Sequence, residues 1–362
     1  MPFSMVVASR IQSGPVMPRG LLNRERGARR LALAARPPVS DPDEGSSGSL
    51  PRLGPYELVR RVGYGATAEV YEARRVGKFG VKARVALKKL MPELCADSRF
   101  FNMFVREAAV YSRLSHPNIL QIQDFNEVDG QYFIVTDFVD GLDLDSLIAS
   151  VRDRGDLIPA TVVADIMTQL LRGLDHAHRT KDEKGRNINL LHRDIKPSNV
   201  LVGWDGTVKL GDFGVARTDA SAYQSIDGQF VKGTLRYMSP EHVKLQKVVQ
   251  ASDLFSAGVV LYELVTLTPF VPLDGSMQDI VYRIAHEPRG PILDAIPAPH
   301  GCFRNVLEIA LQPETIRRHG TAAEFLDDLN ALSEVIPPGP TTSGFLEGIR
   351  AEREGKGRER CA

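Results

Sequence analysis

Three oxygen-bearing side chains, Asp194, Asn199 and Asp212, fall within a short stretch of the chain. A carboxylate such as Asp194 can accept the proton of a hydroxyl group. Asn199 and Asp212 offer hard oxygen ligands, which suit Mg²⁺ when phosphate oxygens complete its shell. Lys196 adds a positive charge two residues after Asp194. A base, two metal ligands and a cation are the parts that phosphoryl transfer from ATP requires. Its transition state spreads negative charge over the moving group, so the protein must position metals and the incoming hydroxyl. An isolated Asp212-Phe213-Gly214 reads equally well as a turn. Its coupling to the octapeptide His192-Arg193-Asp194-Ile195-Lys196-Pro197-Ser198-Asn199 selects the catalytic reading.

Upstream lies Gly63-Tyr64-Gly65-Ala66-Thr67-Ala68-Glu69-Val70, and then Val85-Ala86-Leu87-Lys88. Glycines let a backbone approach phosphates without a Cβ clash, although a lone Gly-x-Gly is as often a hairpin turn. Lys88 is a candidate for the α- and β-phosphates, acting as a point charge. Lys89 competes for that role, but strand alternation points it to the opposite face. Glu107 is the expected helical partner of Lys88. Glu93 is the alternative, weakened because it follows a Pro and precedes the helix.

Together these segments closely resemble the eukaryotic-like (Hanks-type) protein-kinase superfamily. The resemblance covers about residues 56–336. The long lead-in Lys181–Asn189 looks like that of bacterial kinases, particularly the myxobacterial type. The resemblance implies a catalytic set of Asp194, Lys196, Lys88 and Glu107, with Asn199 and Asp212 holding Mg²⁺. It implies an ATP site built from Val62, Gly63, Gly65, Ala68, Val70, Ala86, Lys88, Asp137, Val139, Asp143 and Leu201. Ala68 stands where the family has a third glycine. Ile134–Val139 reads as the hinge whose backbone binds adenine, with Thr136 as gatekeeper and Asp143 at the ribose. Val70, Ala86 and Leu201 would sandwich the adenine ring, although apolar strand residues are more often plain core.

Further implied features are structural or regulatory. Asp253 should tether the catalytic loop, Arg318 should pair with Glu241, and Thr234 should bond Asp194 or Lys196. Arg193 implies a loop ordered by phosphate, and autophosphorylation is expected at Thr218, Ser221 or Ser225. Lys196-Pro197-Ser198 resembles serine/threonine rather than tyrosine kinases. Two rivals stay open: a pseudokinase serving as a nucleotide-binding scaffold, and a small-molecule phosphotransferase of related fold.

Positioning these residues requires two kinds of element. Short strands are predicted at Tyr56–Val62, Ala68–Val76, Val81–Leu90 and Tyr132–Thr136, interrupted by one helix near Arg99–Leu114. From Leu142 onward helical periodicity dominates, as in Thr161–His178, Asp253–Thr266 and Thr321–Leu332, the last opening on a capping box, Thr321 with Glu324. The expected fold class is α+β, a two-lobed protein-kinase fold. An antiparallel sheet plus one helix forms the N-lobe (55–138), and a larger, mainly helical C-lobe follows (139–336). Residues 1–54 read as a disordered arm, with an organelle transit peptide or a start at Met5 or Met17 as alternatives. Residues 337–362 read as a flexible tail.

The chain carries 45 basic and 45 acidic side chains, so no global field points to nucleic acid. Three dispersed cysteines, Cys95, Cys302 and Cys361, suggest neither a disulfide framework nor a zinc site. They fit a reducing, cytoplasmic compartment better. Leu254–Leu273 has the length of a bilayer span but reads better as a buried core helix, because Pro269 and Pro272 break its end. Expected partners are ATP and protein substrates, with no membrane span. Oligomeric state does not follow from the sequence.

Overall fold

The computed structural model describes residues 51–360 apart from 66, 78–79, 96 and 214–232. Apolar residues at alternate positions and turn residues between them build a six-stranded antiparallel sheet first. Its strands are β1 (Arg52–Leu53), β2 (Tyr56–Tyr64), β3 (Ala68–Val76), β4 (Lys82–Leu90), β5 (Ile122–Val128) and β6 (Gln131–Asp137). Their spatial order is β1-β2-β3-β4-β6-β5. Arg52 and Leu53, placed before the expected lobe boundary at residue 55, pair with Glu57 and Tyr56. Alternation along β4 sends Val85 and Leu87 into one small core with Tyr56, Ala73, Phe133 and Val135. Leu90 and Ile134 join Phe104 and Ala108 in another. Phe104 and Ala108 belong to α2 (Ser98–Tyr111), which follows the short α1 (Pro92–Cys95).

The larger part is helical: α3 (Leu144–Arg154), α4 (Ala160–His178), α5 (Pro240–Val243), α6 (Gln250–Thr266), α7 (Met277–His286), α8 (Arg289–Leu293), α9 (Arg304–Ala310), α10 (Ala322–Ala331) and α11 (Thr342–Arg360). A second sheet, in the order β7-β8-β9, lies within this part: β7 (Gly141–Asp143), β8 (Val200–Gly203) and β9 (Val208–Leu210). Helical periodicity could not announce such short strands. Gly141 is required there, because a Cβ would lie 1.9 Å from the Val202 carbonyl oxygen.

Helix α6 is buried along almost its whole length and mostly apolar from Leu254 to Val265, which explains its resemblance to a span. No helix among the described residues is long and apolar enough to cross a membrane. At α10 the Thr321 hydroxyl accepts the Glu324 N–H, as a capping box requires. The Glu324 carboxylate instead takes the N–H of Gly320, one residue earlier than the motif specifies.

The expectation of a flexible tail at 337–362 is corrected. Helix α11 packs Leu346 and Ile349, both fully buried, into the main core. Burial of each is worth about 1.5–3 kcal/mol. The Gly-rich, charged composition of this stretch hid the two apolar positions, three apart, that define its inner stripe.

Arg318 lies fully buried and donates to both oxygens of Glu241 at 2.9 Å, as well as to the carbonyls of Gln312, Ala251 and Pro313. Burial would raise the Glu241 carboxyl, but Arg318 holds it below the usual carboxylate range. Arg318→Met would leave Glu241 uncompensated, and urea unfolding should show a loss of about 3–5 kcal/mol. The folded-state pKa of Glu241 is depressed. Its contribution is therefore complete above the ordinary carboxylate pKa and disappears as pH falls through the folded value. An unchanged urea midpoint in Arg318→Met would refute the assignment.

Candidate active site

The catalytic-loop residues gather around an aspartate on α6. Asp253 is 1% exposed. It accepts the backbone N–H groups of His192 and Arg193 at 2.8 Å each, and its Oδ2 lies 2.9 Å from His178 Nε2. Burial alone would raise its carboxyl, but His178, His192 and the backbone donors hold it below the usual range. Arg193 has φ 64°, a left-handed conformation that costs non-glycine residues roughly 1–3 kcal/mol. The Asp253 hydrogen bonds maintain it. His192 is buried and pushed toward its neutral form. Its Nδ1 accepts the Asp194 N–H at 3.2 Å, so Nε2 carries the proton and donates to the Gly211 carbonyl at 3.0 Å. One imidazole thereby ties the loop bearing Asp194 to the strand end leading into Asp212.

Around Asp194 the distances are short. Lys196 Nζ lies 2.9 Å from Asp194 Oδ2 and 3.5 Å from Thr234 Oγ1. The Asn199 side-chain NH₂ donates to the Asp194 carbonyl at 2.7 Å and to Asp194 Oδ2 at 3.0 Å. This orientation leaves the Asn199 carbonyl oxygen as the end available to a cation.

The other half of the site comes from the sheet. The β3–β4 and β4–β6 registers pair Val70 with Lys88 and Ala86 with Thr136. Lys88 thus emerges on the side of the sheet that carries α2. Its Nζ meets Glu107 Oε1 at 2.6 Å and Asp212 Oδ1 at 2.9 Å. Burial would lower the Lys88 ammonium, but the Asp212 and Glu107 carboxylates override it and hold the pKa well above the usual lysine range. Asp212 is pushed up by burial but held down by Lys88, and so stays anionic. Burial pushes Glu107 up, with Lys88 opposing. Asp212 also has positive φ, 52°. Lys89 points the other way, to Glu69 at 2.9 Å and the Tyr71 ring, and Glu93 is exposed in α1.

Gly63 and Gly65 lie outside the left-handed region, and a Cβ on either would make ordinary contacts, 3.4 Å at the nearest. Among the described residues, no neighbour of Gly63 or Gly65 demands glycine. Val62 is 38% exposed. Ala68 opens β3, and Leu201 pairs with Asp143 across β7 and β8. Val139 follows Asp137 in the connection between the sheets. Asp143 has a structural task that sequence reasoning missed. It caps α3, its Oδ1 accepting the Ser146 N–H at 2.7 Å. Also missed was Lys209, which reaches from β9 to the Asp137 carboxylate at 3.2 Å. Thr218, Ser221 and Ser225 lie outside the described residues.

The residues fit a magnesium nucleotide. Asp212 and the Asn199 carbonyl are hard oxygen ligands, few enough to leave positions for phosphates. Lys88 and Lys196 supply positive charge on two sides.

The model of the protein kinase domain family matches residues 56–307, and the chain belongs to that family. Among its relatives is the tyrosine-protein kinase MasK of Myxococcus xanthus, 35% identical over 238 residues, 65% of this chain and 37% of that protein. The probable serine/threonine-protein kinase PknB of Bifidobacterium longum is 33% identical over 289 residues, 76% of this chain and 39% of its own. The chain thus spans under two fifths of the length of either. The solved kinase domain of PknI from Mycobacterium tuberculosis superposes with a TM-score of 0.59 at 29% identity, covering 80% of this chain and 100% of that one.

Proposed function

We propose that this protein is a serine/threonine protein kinase that transfers the γ-phosphate of ATP to protein hydroxyls, its own included. The convergence of Lys88, Glu107 and Asp212 opposite Asp194, Lys196 and Asn199 carries the reading. Bound Mg²⁺ and ATP would supply the phosphoryl group and neutralise its charge. Asp194 accepts the proton as the substrate hydroxyl oxygen bonds to phosphorus and the bond to ADP breaks. Lys196 balances charge beside the transferring group. Lys88, held by Glu107, orients the α- and β-phosphates. Asn199 and Asp212 hold the metal. Val62, Gly63, Gly65, Ala68 and Val70 cover the nucleotide, Ala86 and Leu201 flank adenine, the backbone at Asp137 and Val139 binds its edge, and Asp143 meets the ribose. Most of the acceleration comes from positioning and preorganised charge. A pseudokinase normally lacks one of these groups, and the sequence retains the base, the metal-binding Asp and the strand Lys.

The name of the Myxococcus relative favours tyrosine as a second acceptor, against Lys196-Pro197-Ser198. Incubation with γ-labelled ATP, Mg²⁺ and a generic protein substrate, followed by acid hydrolysis, separates the two. Phosphoserine and phosphothreonine are expected, and phosphotyrosine alone would overturn the assignment. A cytoplasmic location belongs to the same proposal, supported by the free thiols of Cys95 and Cys302.

A further inference from the structure

Helix α11 lies beyond the segment matched by the kinase family and is fastened to the helix that begins at the nucleotide edge. Its inner face is anchored by Leu346 and Ile349 in the core. Its start is held where the Thr342 hydroxyl donates to Asp165 at 2.5 Å and Thr161 donates to the Pro340 carbonyl at 3.0 Å, both partners on α4. Farther along it is tied to α3 at two levels. Arg154 pairs with Glu352 at 2.8 Å and donates to the Gly348 carbonyl at 3.2 Å. Arg353 donates to Ser150 Oγ at 3.1 Å and to the Ser146 carbonyl at 3.4 Å.

These last bonds continue inward. Ser150 Oγ donates to the Ser146 carbonyl at 2.8 Å, and the Ser146 N–H is the group that Asp143 accepts at 2.7 Å. A polar relay therefore runs Arg353, Ser150, Ser146, Asp143, from the outer surface of α11 to the residue proposed for the ribose. The 11-residue helix that starts on Asp143 buries Leu144, Leu147, Ile148 and Val151 in the core, so what a polar tether at its far end can set is the fine placement of its N-terminus. Arg154, at that far end, is fixed by α11.

We infer that α11 is a brace for α3 that positions Asp143 for the ribose hydroxyls, with Leu346, Ile349 and Arg353 as positioning residues. This rests on the nucleotide reading of the cleft. It makes the C-terminal helix a determinant of nucleotide affinity with no contact to the nucleotide. Loosening it should affect the ribose contact and leave proton transfer at Asp194 alone.

The test uses the full chain and compares the affinities of ATP and its 2′,3′-dideoxy analogue. The wild type should favour ATP by about tenfold, the worth of one hydrogen bond to a carboxylate. Asp143→Ala should abolish that preference. The double variant Leu346→Asp/Ile349→Asp should shrink it below about threefold and raise the KM for ATP, with kcat within about twofold. Arg353→Ala, an exposed change that leaves the core intact, should move the preference the same way by a smaller factor, so the test does not depend on the double variant folding. Full ribose discrimination in Arg353→Ala, or in a folded double variant whose α11 amides exchange freely, would overturn the brace while leaving the kinase reading intact. A wild type that binds ATP without any ribose preference would remove both Asp143's role and the brace. A wild type that binds no nucleotide would instead remove the reading beneath them.

Discussion

Asp194→Asn is expected to slow phosphoryl transfer by about 10²–10⁴-fold, the usual worth of a positioned general base. ATP affinity should stay within about twofold, because Asp194 acts on the hydroxyl and not on the nucleotide. The substitution preserves shape but removes the charge that holds Lys196 at 2.9 Å and accepts the Asn199 NH₂ at 3.0 Å. An amide has no carboxylate to take the hydroxyl proton. Steady-state label transfer with a melting curve as control measures it. Transfer at the wild-type rate by a folded Asp194→Asn protein would dismiss Asp194 as the base.

Lys88→Met should have the next largest effect, a loss of about 10²–10³-fold of the kind seen when one preorganised charge is removed. Unlike Asp194→Asn, it should also raise the KM for ATP. Lys88 stands between Glu107 and Asp212, and both carboxylates lean on its charge. Without it the two carboxyl groups lose the cation that each of them contacts. Burial already pushes Glu107 upward, and loss of Lys88 removes the charge that opposes it. Asp212 would lose the contact that fixes its Oδ1 and the main charge that opposes its burial. Glu107→Gln should cost less, since the Lys88–Asp212 pair survives. A Glu107→Gln defect equal to that of Lys88→Met would mean that Glu107 does more than hold the lysine.

Much of this site was legible because its chemistry sits in short contiguous segments. Lys88 could be told from Lys89 by strand alternation, and the structure sends Lys89 to Glu69 on the other face. The pairing of Arg318 with Glu241 and the tether at Asp253 followed from family resemblance and are present as bonds. What stayed hidden depends on tertiary context. Strands β7, β8 and β9 are too short for a periodic signal, and β5, with Asp124, Asn126 and Glu127 along it, lacks apolar continuity. The capping task of Asp143 needed the position of α3. The ordering of α11 needed a groove whose floor comes from α4, far away in sequence. Two apolar residues among glycines and charges carry no weight until that floor exists.

The most direct test of the whole arrangement is a calorimetric titration of a non-hydrolysable ATP analogue into the full chain, with and without Mg²⁺, repeated on Asp212→Asn. Saturable binding at a single site, tighter with Mg²⁺ in the wild type and indifferent to Mg²⁺ in Asp212→Asn, is the expected result. Absence of binding, or an undiminished Mg²⁺ dependence in Asp212→Asn, would contradict convergence of these residues on one magnesium nucleotide.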